Sequence, residues 1–234
     1  MFNKLGKAKL GAALFALSLT PIAQATVFDV YSDFSLASNP NGVWTYGYVS
    51  GPLGGPLNLY NSPDTSGGYE SWRSTVVQSY GVPAVWINPT ASSIGWTPAN
   101  TAAFHPGPNG VFSVYRFTTP GTGSYVLSSL FSGLDIGGTD VHILDNGAEI
   151  FTANITGGSR SGFGEVLSLT AGDLIDFAVG DGGNGYYSDS TGIAATLTTA
   201  ATGGGGNNVP EPPTLALLGI GLGGLAAARR RKKL

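Results

Sequence analysis

The sequence predicts an all-β fold of the jelly-roll-like β-sandwich class. Short runs of alternating or continuous apolar residues recur over residues 27–198, bounded by Gly, Pro, Asn and Asp, a pattern typical of strands. No window there shows the 3.6-residue apolar period of an amphipathic helix. Glycine accounts for 37 of the 234 residues, which suits a sandwich built from many short turns.

Ten strands are predicted in chain order. They are residues 27–31, 43–49, 84–88, 111–118, 124–131, 139–144, 149–155, 165–169, 174–179 and 192–198. Residues 50–68 and 89–110 are interrupted by Gly and Pro and predict irregular loops. Asn146-Gly147 predicts a tight hairpin between the sixth and seventh strands, because both residues tolerate positive φ.

The N-terminus predicts export. A lysine-containing start is followed by an apolar stretch at residues 10–19, and Ala23 and Ala25 form a small-x-small cleavage site before Thr26. These features are those of a secretory signal peptide over residues 1–25. We therefore expect the Sec translocon and signal peptidase as partners.

The C-terminus has three parts in a fixed order. Pro-rich residues begin it, an uncharged run at 214–228 follows, and a basic tail at 229–233 ends it. The run is at the short limit for a membrane-spanning helix, and the cations predict a cytoplasmic end. Residues 199–208 are Gly-rich and predict a flexible linker. The motif residues are Val209, Pro210, Glu211 and Pro212, and the tail is Arg229, Arg230, Arg231, Lys232 and Lys233.

This ending, residues 209–234, resembles the PEP-CTERM sorting signal of Gram-negative bacteria, also called the ice-binding protein C-terminal domain. The resemblance rests on Pro210-Glu211-Pro212, the apolar run and the basic tail. It implies an exported protein held transiently in the inner membrane by a helix at 214–228. It also implies processing by an exosortase near the motif, and a final place at the cell surface or in the extracellular matrix.

The region between the two ends, residues 26–198, is predicted to be a single domain. It is similar in pattern to jelly-roll carbohydrate-binding modules and to an ectodomain of secreted PEP-CTERM proteins. The matching segments are His105-Pro106-Gly107, Arg116-Phe117, Gly147, Ala171-Gly172-Asp173 and Asp189-Ser190-Thr191.

The charge balance excludes some partners. With both ends removed, three arginines face 13 acids and no lysine remains, so the net charge is −10. Such a domain should repel nucleic acid. The chain has no cysteine, which excludes disulfides and thiol chemistry.

Aromatic residues are the first candidate ligand site. Sugar rings stack on exposed Trp and Tyr rings, so Trp44, Tyr46, Trp72 and Trp96 are candidates for carbohydrate contact. The alternative is that these rings fill the core of the sandwich.

Acidic residues in Gly-rich turns are the second candidate site. Calcium takes carboxylate and carbonyl oxygens, and Asp135, Asp140, Asp181 and Asp189 could supply them. The spacing matches no known calcium-loop motif, and turn-forming acids are the alternative.

We expect no cofactor beyond that possible calcium ion, and no catalysis. His105 and His142 are the two histidines, and no nucleophile elbow accompanies them. The prediction is an exported structural or adhesive protein associated with exopolysaccharide or biofilm. A carbohydrate-binding module with structural calcium is the first alternative, and a secreted hydrolase is the second.

Overall fold

Fourteen strands form the fold in the computed structural model, which describes residues 24–200. In chain order they are β1 (Val27–Asp29), β2 (Trp44–Ser50), β3 (Asn58–Leu59), β4 (Ser62–Asp64), β5 (Glu70–Arg73), β6 (Ala84–Asn88), β7 (Thr101–His105), β8 (Val111–Thr118), β9 (Gly123–Gly133), β10 (Gly138–Asp145), β11 (Ala148–Thr156), β12 (Arg160–Leu169), β13 (Leu174–Gly180) and β14 (Thr191–Thr199). A single 3₁₀ turn, Ser66–Gly68, is the one helical element in the described range. No helix there is long and apolar enough to cross a membrane.

The strands form two antiparallel sheets. The eight-stranded sheet has the order β12-β9-β14-β7-β6-β5-β4, with β1 paired to the second half of β14. The six-stranded sheet has the order β11-β10-β13-β8-β2-β3. Residues Ala25–Ala200 form one compact unit. The predicted all-β sandwich is confirmed.

The core lies between the two sheets. In β9, Tyr125, Leu127, Ser129 and Phe131 are buried while the residues that alternate with them are exposed, which is the period-two pattern of a sheet with one covered face. Aromatic rings then pack across the gap, with Phe104 of β7 and Tyr115 of β8 having ring centroids 5.7 Å apart. These contacts fix the positions of β6 and β7, whose outer face and ends carry the candidate site.

The hairpin predicted at Asn146-Gly147 is confirmed. Both residues have positive φ, 50° and 82°, and they join β10 to β11. The positive φ values match the right-handed twist of the two strands.

Four short strands were not predicted, and three of them lie where loops were predicted. β3 and β4 fall within residues 50–68, and β7 falls within residues 89–110. The fourth is β5. The composition of β4 and β7 gives only a weak strand signal. β4 is an edge strand that tolerates Pro63, and β7 contains two small alanines in place of branched residues.

The predicted signal peptide at 1–25 lies almost wholly outside the described residues. Most of the linker and the whole of the C-terminal signal, with its helix at 214–228, lie outside them as well.

Candidate functional site

Three of the four predicted sugar-contacting aromatics are buried, so the prediction is wrong for Trp44, Tyr46 and Trp72. Their rings belong to the core. The polar edges of the two tryptophans anchor the segment after β1, since the Trp72 indole N–H donates to the Ser35 carbonyl at 2.8 Å. The indole N–H of Trp44 donates to Asp33 at 3.2 Å. None of the three presents a ring face to a ligand.

Trp96 is different, because 66 % of its surface is exposed. It lies in a tight turn closed by two backbone hydrogen bonds of 3.0 Å between Ile94 and Thr97. Two side chains hold this turn in place through hydrogen bonds. The Tyr69 hydroxyl donates to the Ile94 carbonyl, and the Trp86 indole donates to the Thr97 hydroxyl at 3.0 Å. Trp96 is therefore held out to solvent by a fixed turn.

Tyr80 is presented in the same way. It lies in a second tight turn, in which backbone hydrogen bonds of 2.8 and 3.1 Å join Ser79 and Val82. Its side chain is 89 % exposed. Its φ of +52° is uncommon for a bulky side chain. Strained residues of this kind concentrate at functional sites.

The loop after β13 adds two more aromatic rings next to Tyr80. Tyr186 and Tyr187, in the loop after β13, are stacked with ring centroids 4.5 Å apart. The Tyr187 ring lies 6.3 Å from that of Tyr80. The Tyr186 hydroxyl donates to the Ser79 hydroxyl at 2.8 Å, which ties this loop to the Tyr80 turn.

These residues surround two adjoining hollows of about 210 and 280 Å³, which share Tyr80, Val82 and His105. We call this region the aromatic cleft. The guanidinium of Arg73 lines it and also pairs with Asp64 at 3.3 Å. Apart from Trp96, none of the cleft residues was predicted as a site residue. A Tyr-Gly pair in a turn and a Tyr-Tyr pair in a Gly-rich loop were the available signals. The cleft comprises Tyr69, Arg73, Tyr80, Trp86, Trp96, His105, Tyr186 and Tyr187.

His105 forms part of the cleft floor as a neutral ring. Its Nδ1 lies 2.7 Å from the Pro106 carbonyl, to which it donates. Its Nε2 accepts the Asp189 backbone N–H at 3.3 Å. Burial lowers the pKa of His105, and the acceptor role of Nε2 agrees with the neutral form.

The second histidine, His142, lies between two carboxylates on the outer face of the six-stranded sheet. Its Nε2 is 2.8 Å from Asp140, and its Nδ1 is 2.9 Å from Glu149. In the described part of the chain, neither histidine ring bonds to a serine hydroxyl. The His105 ring bonds to backbone groups, and the His142 ring bonds to the two carboxylates.

Three of the four predicted calcium ligands lie in loops, Asp135 between β9 and β10 and Asp181 and Asp189 between β13 and β14, whereas Asp140 lies near the start of β10. Asp140 uses both oxygens, accepting the Gly182 N–H at 2.7 Å and bonding to His142. Asp189 is 1 % exposed, and neither of its oxygens has a hydrogen-bond partner among residues 24–200.

Burial raises the pKa of the Asp189 carboxyl to about 7, helped by the charges of Asp181, Asp135 and Asp140. Within residues 24–200, no three side chains are already gathered closely enough to hold a metal ion. The four acids therefore share one negative region without forming a ready-made shell.

The family comparison concerns the end of the chain. The model of the PEP-CTERM protein-sorting motif matches residues 208–232. The chain carries a PEP-CTERM motif. That motif marks it as an exported protein sorted by an exosortase, as the resemblance implied. Among curated proteins, no sequence matches this PEP-CTERM chain.

Solved structures similar to the PEP-CTERM chain include three carbohydrate-binding modules. The family 35 module from Clostridium thermocellum is 14 % identical over 56 % of this chain and 88 % of that one, with a TM-score of 0.28. CBM51 from Clostridium perfringens GH95, in complex with methyl-galactose, is 14 % identical over 51 % and 90 %, with a TM-score of 0.35. CBM36 in complex with calcium and xylotriose is 10 % identical over 55 % and 98 %, with a TM-score of 0.30. At these TM-scores the ligand has to be inferred from this chain's own residues.

Proposed function

We propose that this exported, exosortase-sorted protein is a non-catalytic surface adhesin whose sandwich domain binds carbohydrate in the aromatic cleft. The observation that carries the proposal is the presentation of Tyr80 and Trp96 by two separate tight turns. Exposing two large rings contributes nothing to the core, and one of the turns requires a strained φ at its aromatic residue. A ligand that stacks on those rings would explain why they are exposed and why the strained backbone is kept.

The cleft has the mixture of groups that sugars need. The ring faces of Trp96, Tyr80 and Tyr187 can stack on the apolar faces of pyranose rings. Arg73 lines the cleft and brings N–H donors for hydroxyl oxygens. Apolar walls with a few polar groups are typical of small-ligand sites.

The charge of the domain narrows the class of sugar. Three arginines against 13 acids leave the region between the two ends at −10, so polyanionic chains are repelled at low ionic strength. We therefore expect a neutral saccharide chain, such as a neutral segment of an exopolysaccharide.

The test is glycan-array binding by protein comprising residues 26–208, which retains the compact unit apart from its first residue. We expect binding to a neutral glycan class, weakened about tenfold by Trp96→Ala or Tyr80→Ala. Val166→Ala is the matched control, because Val166 is exposed on β12 and outside the cleft. Wild-type protein that binds no glycan, or cleft variants that bind as well as wild type, would overturn the proposal.

A further inference from the structure

Asp189 poses a problem that the glycan proposal leaves untouched. Its carboxylate is buried in the loop that enters β14, and both oxygens lack hydrogen-bond partners in the described structure. Buried carboxylates are expensive unless they are paired, hydrogen-bonded or bound to a metal. The other unpartnered buried side-chain atoms among residues 24–200 are two hydroxyls and the Nε of Arg73, so this is the one unpartnered carboxylate in that range.

The domain supplies no basic side chain to pair with it. Arg73 pairs with Asp64, and Arg116 pairs with Asp176 at 2.6 Å. Arg160, the remaining arginine between the two ends, makes no ion pair within the described residues. The nearby charged groups are instead negative, since Asp181, Asp135 and Asp140 all raise the pKa of Asp189. A bound cation would neutralise this region.

The backbone around Asp189 is packed closely enough to bring a carbonyl oxygen, that of Ser188, near the carboxylate. A Cβ on Gly137 would collide with the Asp189 carboxylate and would lie 2.5 Å from the Ser188 carbonyl oxygen. The Gly137 N–H donates to that carbonyl at 2.8 Å. A Cβ on Gly182 would lie 2.6 Å from the Gly138 carbonyl oxygen. Gly137 therefore lets its own segment approach the Asp189 carboxylate, and Gly182 lets the loop after β13 approach the start of β10.

We propose that Asp189 anchors a hard divalent cation, calcium by its donor type, with backbone carbonyls and water as the further ligands and with Asp135 and Asp181 supplying negative charge nearby. Asp140 contributes charge and holds the loop, because protein donors already occupy both of its oxygens. Calcium takes six to eight oxygens in flexible geometry, whereas magnesium demands a strict octahedron. No three side chains form a finished cluster in residues 24–200, so carbonyls and water must complete the shell. We expect a dissociation constant of about 0.1–1 mM, as in extracellular calcium modules.

The experiment measures calcium binding without any glycan, so its result is separate from that of the proposed function. Protein comprising residues 26–208 is stripped with chelator and titrated with calcium by calorimetry, and its melting temperature is recorded. We expect one site and a rise of about 3–10 °C at 10 mM calcium. Magnesium at the same concentration should produce a smaller rise.

Asp189→Asn tests the anchor with a side chain of the same shape. It should abolish the calcium-induced rise while leaving the chelator-treated melting temperature no lower than that of wild type, because an unpaired buried charge has been removed. Asp181→Asn should weaken binding several-fold. Glu165→Gln, in an exposed position on β12, is the matched control and should behave as wild type. Wild-type protein that takes up no calcium, or an Asp189→Asn variant that still binds it, would overturn the proposal.

Discussion

At the scale of a single residue, the unfavourable backbone conformation of Tyr80 points to a functional role for its side chain. A bulky side chain at φ +52° pays about 1–2 kcal/mol relative to ordinary backbone. The next residue, Gly81, also has positive φ, 82°, so the turn itself needs the left-handed conformation. The sequence places a glycine at the second position and a tyrosine at the first, where glycine would also fit.

We predict that Tyr80→Gly makes the domain more stable and the binding worse. The free energy of unfolding should rise by about 0.5–1 kcal/mol, because glycine adopts this φ without strain. Urea denaturation measures the stability, and glycan binding should fall as in Tyr80→Ala. A loss of stability in Tyr80→Gly would show that the tyrosine ring contributes to folding through contacts that outweigh its backbone strain.

Trp44, Tyr46 and Trp96 show what the sequence could and could not reveal about the site. Alternation placed Trp44 and Tyr46 on one face of a strand, and the face turned out to be the core. The other face of β2 is covered too, because Val49 packs with Leu53 and Leu57 of the following loop. Alternation alone does not tell which face is covered. Trp96 was found because it lies in a loop rich in Gly and Pro.

At the scale of elements, His142 links β10 to β11. It lies in β10 and contacts Glu149 of β11 and Asp140 of its own strand. The Phe112 ring of β8 packs edge-on at 5.6 Å. Burial lowers the pKa of His142, but the hydrogen bonds and charges of Asp140 and Glu149 outweigh it, so the net pKa is above 6.5. The charged ring can donate to both carboxylates, whereas the neutral ring can donate to only one.

We predict that this link weakens as the pH rises. A raised folded-state pKa means that the stabilisation is complete below pH 6.5 and is lost as the pH passes the folded-state pKa. His142→Gln should cost about 1 kcal/mol at pH 6 and much less at pH 9. Urea denaturation at both values, in chelator, measures the difference. An equal cost at both pH values would mean that the ring acts through packing alone.

The regular strands were predictable and the short ones were not. From residue 111 onwards every predicted strand is present, since alternation and turn residues agree there. β5 and β7 gain their conformation from neighbours: Trp72 of β5 pairs with Val85, and Phe104 of β7 pairs with Val85 from the other side. Tertiary pairing of this kind overrides weak local preference. The cleft depends on these same strands, so most of it was invisible in the sequence.

At the scale of the whole molecule, the C-terminal signal implies export and membrane anchoring before cleavage by an exosortase. The matched motif covers residues 208–232, well beyond the last described strand. Its three parts predict distinct roles: sorting and processing at residues 209–212, a membrane span by the apolar run, and membrane retention and orientation by the basic tail at 229–233.

We predict that Glu211→Ala, or deletion of residues 229–233, leaves the protein unprocessed or misdirected in a host that contains an exosortase. The measurement is molecular weight and fractionation of the full chain after expression. Lys4→Gln is a control at the other end of the chain and should leave C-terminal processing intact. Unaltered weight and location in both C-terminal variants would count against processing at this motif.

Strand β14 separates the cleft from the point where the chain leaves the sandwich. Tyr186, Tyr187 and Asp189 come immediately before its first residue, Thr191, and the chain exits after Thr199 beside the N-terminal segment, where the Thr199 N–H donates to the Thr26 carbonyl at 2.9 Å. Nine extended residues span about 30 Å. The cleft therefore lies about one strand length from the point where the predicted linker begins. A saccharide bound in the cleft would leave the linker end of the sandwich, at Thr26 and Thr199, uncovered.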